Sequence, residues 1–153
     1  MLDLDNTLLP WKDSIVPEQV IDWVNHAKEN GMRLCIISNT HNPGRLTKIA
    51  SELGISSVFN ALKPRRYGFE RAAEMIGCTS NTAVVVGDQL LTDILGGKIA
   101  GMYTILVKPM HPREFIGTKI SRLIEKGIFA LLRRSAETGT KLDRIQSETQ
   151  DTR

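Results

Sequence analysis

Short apolar runs and helical segments alternate strictly along residues 1–107, and this alternation constrains the fold more than any other feature of the chain. Apolar runs lie at 33–37, 82–86 and 103–107, with a weaker one at 58–62 and a two-residue stub before Asp3. Helical spacing or helix-ending glycines mark 17–29, 43–53, 67–76 and 92–100 between them. Because the runs are continuous, helices are expected on both faces of the sheet. The sequence therefore predicts an α/β protein with a doubly wound parallel sheet.

The composition excludes several other classes of protein. A length of 153 residues suits one domain, and 41% hydrophobic with 24% charged residues is typical of a globular chain rather than a disordered or collagen-like one. No stretch approaches the ~20 apolar residues of a transmembrane helix. A net charge of +3 is too small to indicate nucleic-acid binding. Two cysteines without a CxxC motif, and the lack of a signal-peptide pattern, favour a cytoplasmic location.

The chain is predicted to contain three parts. Residues 1–112 form the α/β core, which holds as many basic as acidic side chains, so the positive excess lies beyond it. Residues 113–134 form a basic amphipathic helix, which either packs on the core or lies on an anionic membrane surface. Residues 135–153 are polar and form a disordered tail.

Carboxylates follow two of the predicted strands, the two-residue stub at the start of the chain and the run at 82–86. Asp3 and Asp5 point to the same side of the chain, and such a pair either binds a cation or keeps one proton. Gly87 permits a sharp turn after 82–86, and Asp88 and Asp93 follow it. Ligands of parallel sheets bind at the carboxyl ends of strands. The carboxylates therefore predict a Mg²⁺ site, although turn or helix capping explains each motif alone equally well.

Two further polar segments follow strands. Ser38 and Asn39 come after 33–37, and their hydroxyl and amide can hold phosphate oxygens. Lys63 comes after 58–62 and can neutralise a phosphate beside the carboxylates. Each is weak evidence alone, because serine and lysine are common on surfaces; the order of all four motifs is the specific signal.

That order resembles the haloacid dehalogenase-like (HAD) phosphohydrolase superfamily, in which DxDxT is followed by Ser, Lys and GDxxxTD. The stretches from Gly87 to Gly97 and from Gly101 to Val107 look more closely like the YqeG family of class IIIA HAD phosphatases. The resemblance implies a HAD-like Rossmannoid core. The spacings from Thr7 to Ser38 and from Ser38 to Lys63 leave no room for a cap domain, and the first strand is expected to be truncated.

The resemblance also implies roles for individual residues. Asp3 would be the nucleophile and Asp5 the general acid/base, with Lys63 steadying the aspartyl-phosphate. The phosphate would be held by Ser38, Asn39 and Lys63, and the metal by Asp3, Asp88 and the backbone carbonyl of Asp5. Supporting roles would fall to Thr7, Gly87 and Asp93.

The predicted function is Mg²⁺-dependent hydrolysis of a phosphomonoester, with phosphatidylglycerophosphate of phosphatidylglycerol and cardiolipin synthesis as the favoured substrate. The partners expected are a phosphorylated lipid and an anionic membrane, with an oligomer possible. Another macromolecular or soluble phosphate, or a non-catalytic phosphate-binding module, remain alternatives. A receiver domain is disfavoured because its phosphorylated aspartate follows a middle strand. Since only two residues precede Asp3, the chain is expected to be a truncated reading, with a genuine short form of reduced stability as the alternative.

Overall fold

The computed structural model describes residues 1–110, so the predicted helix at 113–134 and tail at 135–153 lie outside the described residues. The described elements, in chain order, are α1 (Glu18–Glu29), β1 (Cys35–Ile37), α2 (Pro43–Leu53), β2 (Ser56–Val58), α3 (Arg66–Ile76), β3 (Val84–Gly87), α4 (Leu95–Ile99) and β4 (Tyr103–Leu106). A 3₁₀ turn at Ser80–Thr82 precedes β3, and a π-helical turn at Leu90–Ile94 leads into α4.

The first residues of the chain join two parallel strand pairs into one sheet. β1 pairs with β2, and β3 pairs with β4. Leu2 lies between the pairs and forms parallel bridges with Ile36 and Val86. Its N–H donates to the carbonyl of Cys35 at 2.8 Å, and the Asp3 N–H donates to that of Val86 at 2.9 Å. The resulting order, β2-β1-Leu2-β3-β4, confirms the parallel sheet, with a very short segment in the central position.

Helices cover both faces of this sheet, as the continuous apolar runs predict. Side chains alternate between faces along a strand, so Ile36 packs in one core while Cys35 and Ile37 pack in the other. The first core takes its helical residues from α1 and α2, including Val24 and Leu46. The second takes them from α3, including the fully buried Phe69. The fold is therefore the doubly wound α/β arrangement.

The second strand ends earlier than the sequence predicts. The run at 58–62 was expected to be extended, but β2 covers Ser56–Val58. Asn60 and Leu62 have positive φ values of 46° and 55°, and the Ala61 N–H donates to the carbonyl of Ser38. These turns bend the chain back towards the end of β1, which places Lys63 over the sheet edge.

Helix α2 begins and ends with the residues that its sequence predicts. The side chain of Asn42 accepts a hydrogen bond from the Arg45 N–H at 3.1 Å, Pro43 occupies the first turn, and Gly54 ends the helix at φ 60°. Between Thr7 and Ser38 the only helix is α1, and α2 and β2 fill the stretch from Ser38 to Lys63. Neither stretch contains a cap domain.

Candidate active site

Asp3 lies at the carboxyl edge of the sheet, between β1 and β3. Its N–H bonds to Val86, and the carbonyl of Leu2 accepts from the Ile37 N–H at 2.8 Å. The peptide group between Leu2 and Asp3 is therefore bonded to β3 on one side and to β1 on the other. Asp3 is nevertheless only 5% exposed, which is unusual for a carboxylate and requires polar partners close by.

Lys63 supplies the nearest of these partners. Its Nζ lies 2.5 Å from Oδ1 of Asp3 and 2.6 Å from Oδ1 of Asp93, and all three side chains are buried. Three elements distant in sequence thus converge: the first segment, the turn before α3 and the π-helical turn. One cation between two carboxylates leaves a net negative charge, which favours binding of a further cation.

The backbone of Lys63 is held by Asn39. The Asn39 Oδ1 accepts from the Lys63 N–H at 2.8 Å, and its Nδ2 donates to the Lys63 carbonyl at 3.0 Å. The peptide bond from Lys63 to Pro64 is cis. Both ends of the Asn39 amide are therefore engaged in positioning Lys63, while a contact with phosphate stays a prediction for this residue.

Gly87 permits the close packing that buries Asp93. A Cβ atom at position 87 would overlap the Asp93 carboxyl group, so a larger residue cannot fit without movement. The other oxygen of Asp93, Oδ2, accepts from the Gln89 N–H at 3.0 Å. The Asp93 N–H in turn donates to the carbonyl of Gln89 at 3.0 Å. The π-helical turn thus holds Asp93 in a fixed position under the site.

Asp3, Asp88 and Asp93 form an acidic cluster whose ligand atoms lie within 4.8 Å of one another. Both oxygens of Asp93 are already engaged, by Lys63 and by Gln89. Oδ2 of Asp3, in contrast, is buried and has no hydrogen-bond partner among the described residues. A hard divalent cation takes oxygen ligands, and carboxylates are the ones it prefers. Asp3 and Asp88 therefore fit such a cation, with Asp93 as their support.

The electrostatics of the cluster follow from this burial. Burial raises the pKa of Asp3 to about 7; the charge of Lys63 opposes the shift, and those of Asp93 and Asp88 add to it. Burial lowers the pKa of Lys63, but the carboxylates of Asp3 and Asp93 outweigh it and hold that pKa above its ordinary value. Lys63 is thus a permanent cation, while Asp3 needs further positive charge to stay fully ionised at neutral pH.

Asp5 is not a member of the acidic cluster, and its carboxylate contacts a residue that the sequence pattern did not single out. Nη2 of Arg45 lies 2.9 Å from its Oδ1, and the Lys12 N–H donates to the same oxygen at 3.2 Å. Arg45 escaped notice because a charged residue on an amphipathic helix is ordinarily solvated. The available signal was its place on the first turn of the helix that follows Ser38-Asn39.

Ser38 and Thr7, the remaining predicted residues, lie in the loops around Asp3. Ser38 directly follows β1 and is buried, and its Oγ accepts from the Thr40 N–H at 3.1 Å. Oγ1 of Thr7 is buried and has no hydrogen-bond partner within residues 1–110. The structure thus joins Asp3, Lys63, Asp88 and Asp93 directly and leaves Ser38, Asn39, Thr7 and Asp5 around them.

Known sequences match this chain along most of its length. The profile of the HAD-hydrolase-like family matches residues 61–109, which include Lys63, Asp88 and Asp93. A Bacillus subtilis protein named probable phosphatase YqeG is 38% identical over 132 residues, which cover 86% of this chain and 76% of that protein. The chain belongs to the YqeG family of HAD-type phosphatases. The resemblance that its motifs show is confirmed.

More distant relatives agree with this family. The chloroplastic/mitochondrial phosphatidylglycerophosphate phosphatase 1 of Arabidopsis thaliana is 28% identical to this YqeG-family chain, over 92% of the chain but 42% of the plant protein. Among solved structures, the putative HAD-hydrolase YfnB from Bacillus subtilis, bound to magnesium, superposes with a TM-score of 0.54 at 19% identity. The superposed region covers 69% of this chain and 50% of the YfnB chain. This likeness supports the fold.

Proposed function

We propose that the chain hydrolyses phosphomonoesters with Mg²⁺ as cofactor, through an aspartyl-phosphate on Asp3. The observation that carries this proposal is the state of the two Asp3 oxygens. Oδ1 is held by the Lys63 ammonium at 2.5 Å, while Oδ2 is buried without a hydrogen-bond partner among residues 1–110 and lies in the acidic cluster with Asp88. A buried, oriented carboxylate of this kind is a suitable nucleophile.

The proposed reaction has two steps and uses Asp3, Asp5 and Lys63. Asp3 attacks phosphorus, so that a bond forms from its carboxylate oxygen and the bond to the leaving oxygen breaks. Asp5 donates a proton to that leaving oxygen. Water then attacks the phosphoryl group, Asp5 takes a proton from it, and the bond to Asp3 breaks. Throughout, Lys63 stays charged and lies beside the developing negative charge.

Mg²⁺ would be held by Asp3 and Asp88, with the backbone carbonyl of Asp5 as a further ligand. When bound, it would supply positive charge to the phosphoryl oxygens. Lys63 and Asp93 neutralise one another and orient Asp3, and Gln89 fixes Asp93 through its N–H.

Phosphate release from an aryl phosphate tests the reaction. We expect turnover by the wild-type chain with Mg²⁺, no turnover after chelation, and recovery when Mg²⁺ is restored. Asp3→Asn should abolish release, while Asp22→Asn, which changes a carboxylate on α1, should leave it unchanged. Binding of phosphate without turnover by the wild-type chain would instead support a non-catalytic module.

Phosphatidylglycerophosphate is our proposed physiological substrate. The stretches from Thr7 to Ser38 and from Ser38 to Lys63 contain no cap domain. The site can therefore accept a phosphate group carried by a large or membrane-bound molecule. The similarity to the plant phosphatase points to the same class. A cavity of about 330 Å³ opens beside Lys63, with His41 and Arg65 on its wall. A larger cavity, about 800 Å³, lies at the amino ends of β1 and β2 and carries none of the motif residues.

Competition between substrates tests this assignment. We expect a higher kcat/KM for phosphatidylglycerophosphate in mixed micelles than for soluble phosphosugars. Arg65→Gln should raise KM for the lipid because a cation on the cavity wall is lost. Arg66→Gln is the matched control, since that side chain pairs with Glu70 at 3.1 Å. A preference for phosphosugars would contradict the lipid assignment.

We further propose that the chain acts in the cytoplasm and contacts anionic membranes peripherally. Among residues 1–110 no helix combines the length and apolar character needed to cross a bilayer. The basic sequence 113–134 supports contact with anionic lipid. Co-sedimentation should be stronger with phosphatidylglycerol vesicles than with phosphatidylcholine vesicles and should weaken with salt. Equal sedimentation with both would contradict the proposal.

A further inference from the structure

The side chain of Arg45 connects three parts of the molecule near the proposed acid/base residue. Its Nη2 lies 2.9 Å from Oδ1 of Asp5, and its Nε donates to the carbonyl of Asp13 at 2.7 Å. Its backbone N–H donates to the Asn42 side chain, which caps α2. The backbone of Arg45 is therefore fixed at the start of α2, and its guanidinium is held between Asp5 and the carbonyl of Asp13.

The surroundings of Arg45 restrict its motion. The Arg45 side chain is 11% exposed and that of Asp5 is 23% exposed, so the pair is largely shielded from water. An ion pair at a fully exposed site is worth little, because solvent screens it and both side chains lose entropy. Here the contact to Asp13 already fixes the guanidinium, so less additional entropy is lost when it orients Asp5.

An ion pair and a backbone hydrogen bond meet at the same carboxylate oxygen. Oδ1 of Asp5 faces the Arg45 guanidinium and also accepts from the Lys12 N–H at 3.2 Å. A carboxyl group that is fixed through one oxygen presents its other oxygen in a defined direction. Proton transfer depends on such geometry, because the donor must lie within hydrogen-bond reach of the leaving oxygen.

We infer that Arg45 is a positioning residue for the general acid/base Asp5. It holds Oδ1, so that Oδ2 carries the proton to the leaving oxygen and later takes one from water. In the first step the bond to the leaving group breaks as the proton moves from Oδ2, and Arg45 then faces the carboxylate that remains. This inference rests on the proposed function, since it assigns a role within the same reaction.

The nature of the leaving group separates this role from others. An alkoxide needs a proton as it departs, whereas a dinitrophenolate leaves without one. General acid catalysis contributes roughly 10²–10⁴-fold where it is needed. The hydrolysis of the aspartyl-phosphate also uses Asp5 and is common to both substrates, so the comparison is made in kcat/KM, which reports the steps up to departure of the leaving group. We expect Arg45→Met to lower kcat/KM for an alkyl phosphate by about 10-fold or more, and kcat/KM for dinitrophenyl phosphate by less than about 3-fold. Arg45→Lys should recover part of the alkyl rate.

Lys48→Met is the matched control, because it removes an exposed cation from the same helix. It should leave both rates unchanged. A double-mutant cycle gives a second readout: in an Asp5→Asn background, Arg45→Met should cause little further loss with the alkyl phosphate. A purely structural role for Arg45 would lower the rate in both backgrounds. Thermal unfolding of each variant shows which losses arise from folding.

The outcomes distinguish the inference from the proposed function. Hydrolysis of dinitrophenyl phosphate by the wild-type chain establishes the phosphatase, whatever Arg45 does. Equal losses with both substrates, additive losses in the cycle, or no loss at all would overturn the role of Arg45. An inactive wild-type chain would overturn the proposed function together with the inference.

Discussion

Nζ of Lys63 lies 2.6 Å from Oδ1 of Asp93, and Asp93 is completely buried. The same ammonium contacts Asp3, so the cation that orients the proposed nucleophile is itself held in place by Asp93. The contact unites the turn before α3 with the turn before α4. The site is consequently part of the core, and changes within it should affect stability as well as activity.

Replacement of Lys63 tests this dependence. Lys63→Met would leave Asp3 and Asp93 as uncompensated buried carboxylates, and breaking a buried pair costs about 3–5 kcal/mol. We expect a lower free energy of unfolding and loss of phosphate release. Lys28→Met is the control, because that lysine contacts the carbonyl of Leu53 rather than a carboxylate. A stable Lys63→Met variant with normal turnover would contradict the assigned role.

The raised pKa of Asp3 should make the stability of the metal-free protein depend on pH. That pKa is raised to about 7 in the folded chain, from an ordinary value near 3.8. Between these values the folded state binds more protons than the unfolded one, so stability falls as pH rises. Asp3→Asn lacks this contribution. We therefore expect the free energy of unfolding of the wild-type chain to fall relative to that of Asp3→Asn as the pH rises from about 4 to 7. Urea unfolding in the presence of a chelator would measure it.

If the stabilities of the two proteins do not diverge with pH, the pKa of Asp3 is ordinary and the prediction is wrong. Mg²⁺ should reverse the loss in the wild-type chain, because a bound cation favours the ionised carboxylate. The stabilisation by Mg²⁺ should be absent in Asp3→Asn, and thermal shift measurements at neutral pH would detect it.

Gly87 gives a prediction about packing. Gly87→Ala places a methyl group against the Asp93 carboxyl, and overpacking costs about 1–3 kcal/mol. The displaced Asp93 would also release Lys63, so we expect kcat to fall further than the stability loss explains. Gly44→Ala is the stability control, since its added methyl group would lie 3.6 Å from Oδ1 of Asn42, an ordinary van der Waals distance. Unchanged kcat in Gly87→Ala would refute the link to Asp93.

The two cysteines should differ in reactivity. Burial raises the pKa of Cys35 to about 11, and its side chain is inaccessible, whereas Cys78 is half-buried. Since the thiolate is the reactive form, iodoacetamide at pH 8 should modify Cys78 alone in the native protein. Both should react in denaturant. Mass spectrometry of peptides would show this, and early modification of Cys35 would contradict the fold described for β1.

Several features of the fold could be predicted from local sequence because their causes are local. Continuous apolar runs indicate strands covered on both faces, and Asn42-Pro43 with Gly54 defines the bounds of α2. The placement of polar residues after strands also predicts that Asp3, Lys63 and Asp88 meet at one edge, because parallel strands share a carboxyl end.

Other features depended on contacts between distant segments. β2 ends at Val58 because the following residues turn back to bond with Ser38, and no local propensity encodes that contact. The sequence did not indicate that both ends of the Asn39 amide hold the Lys63 backbone, and the contact of Asn39 with phosphate stays a prediction. Arg45 carries no motif in the sequence, yet it contacts Asp5 in the folded chain.

The sequence by itself determined the fold class and the chemical character of the site, since periodicity and the spacing of carboxylates are local properties. Only the tertiary structure decided how those groups share their charges. Burial and distance set the pKa of Asp3, the division of Lys63 between two carboxylates and the contact of Asp5 with Arg45. These quantities depend on desolvation and on through-space Coulomb interactions, which residues distant in sequence create only when the chain folds.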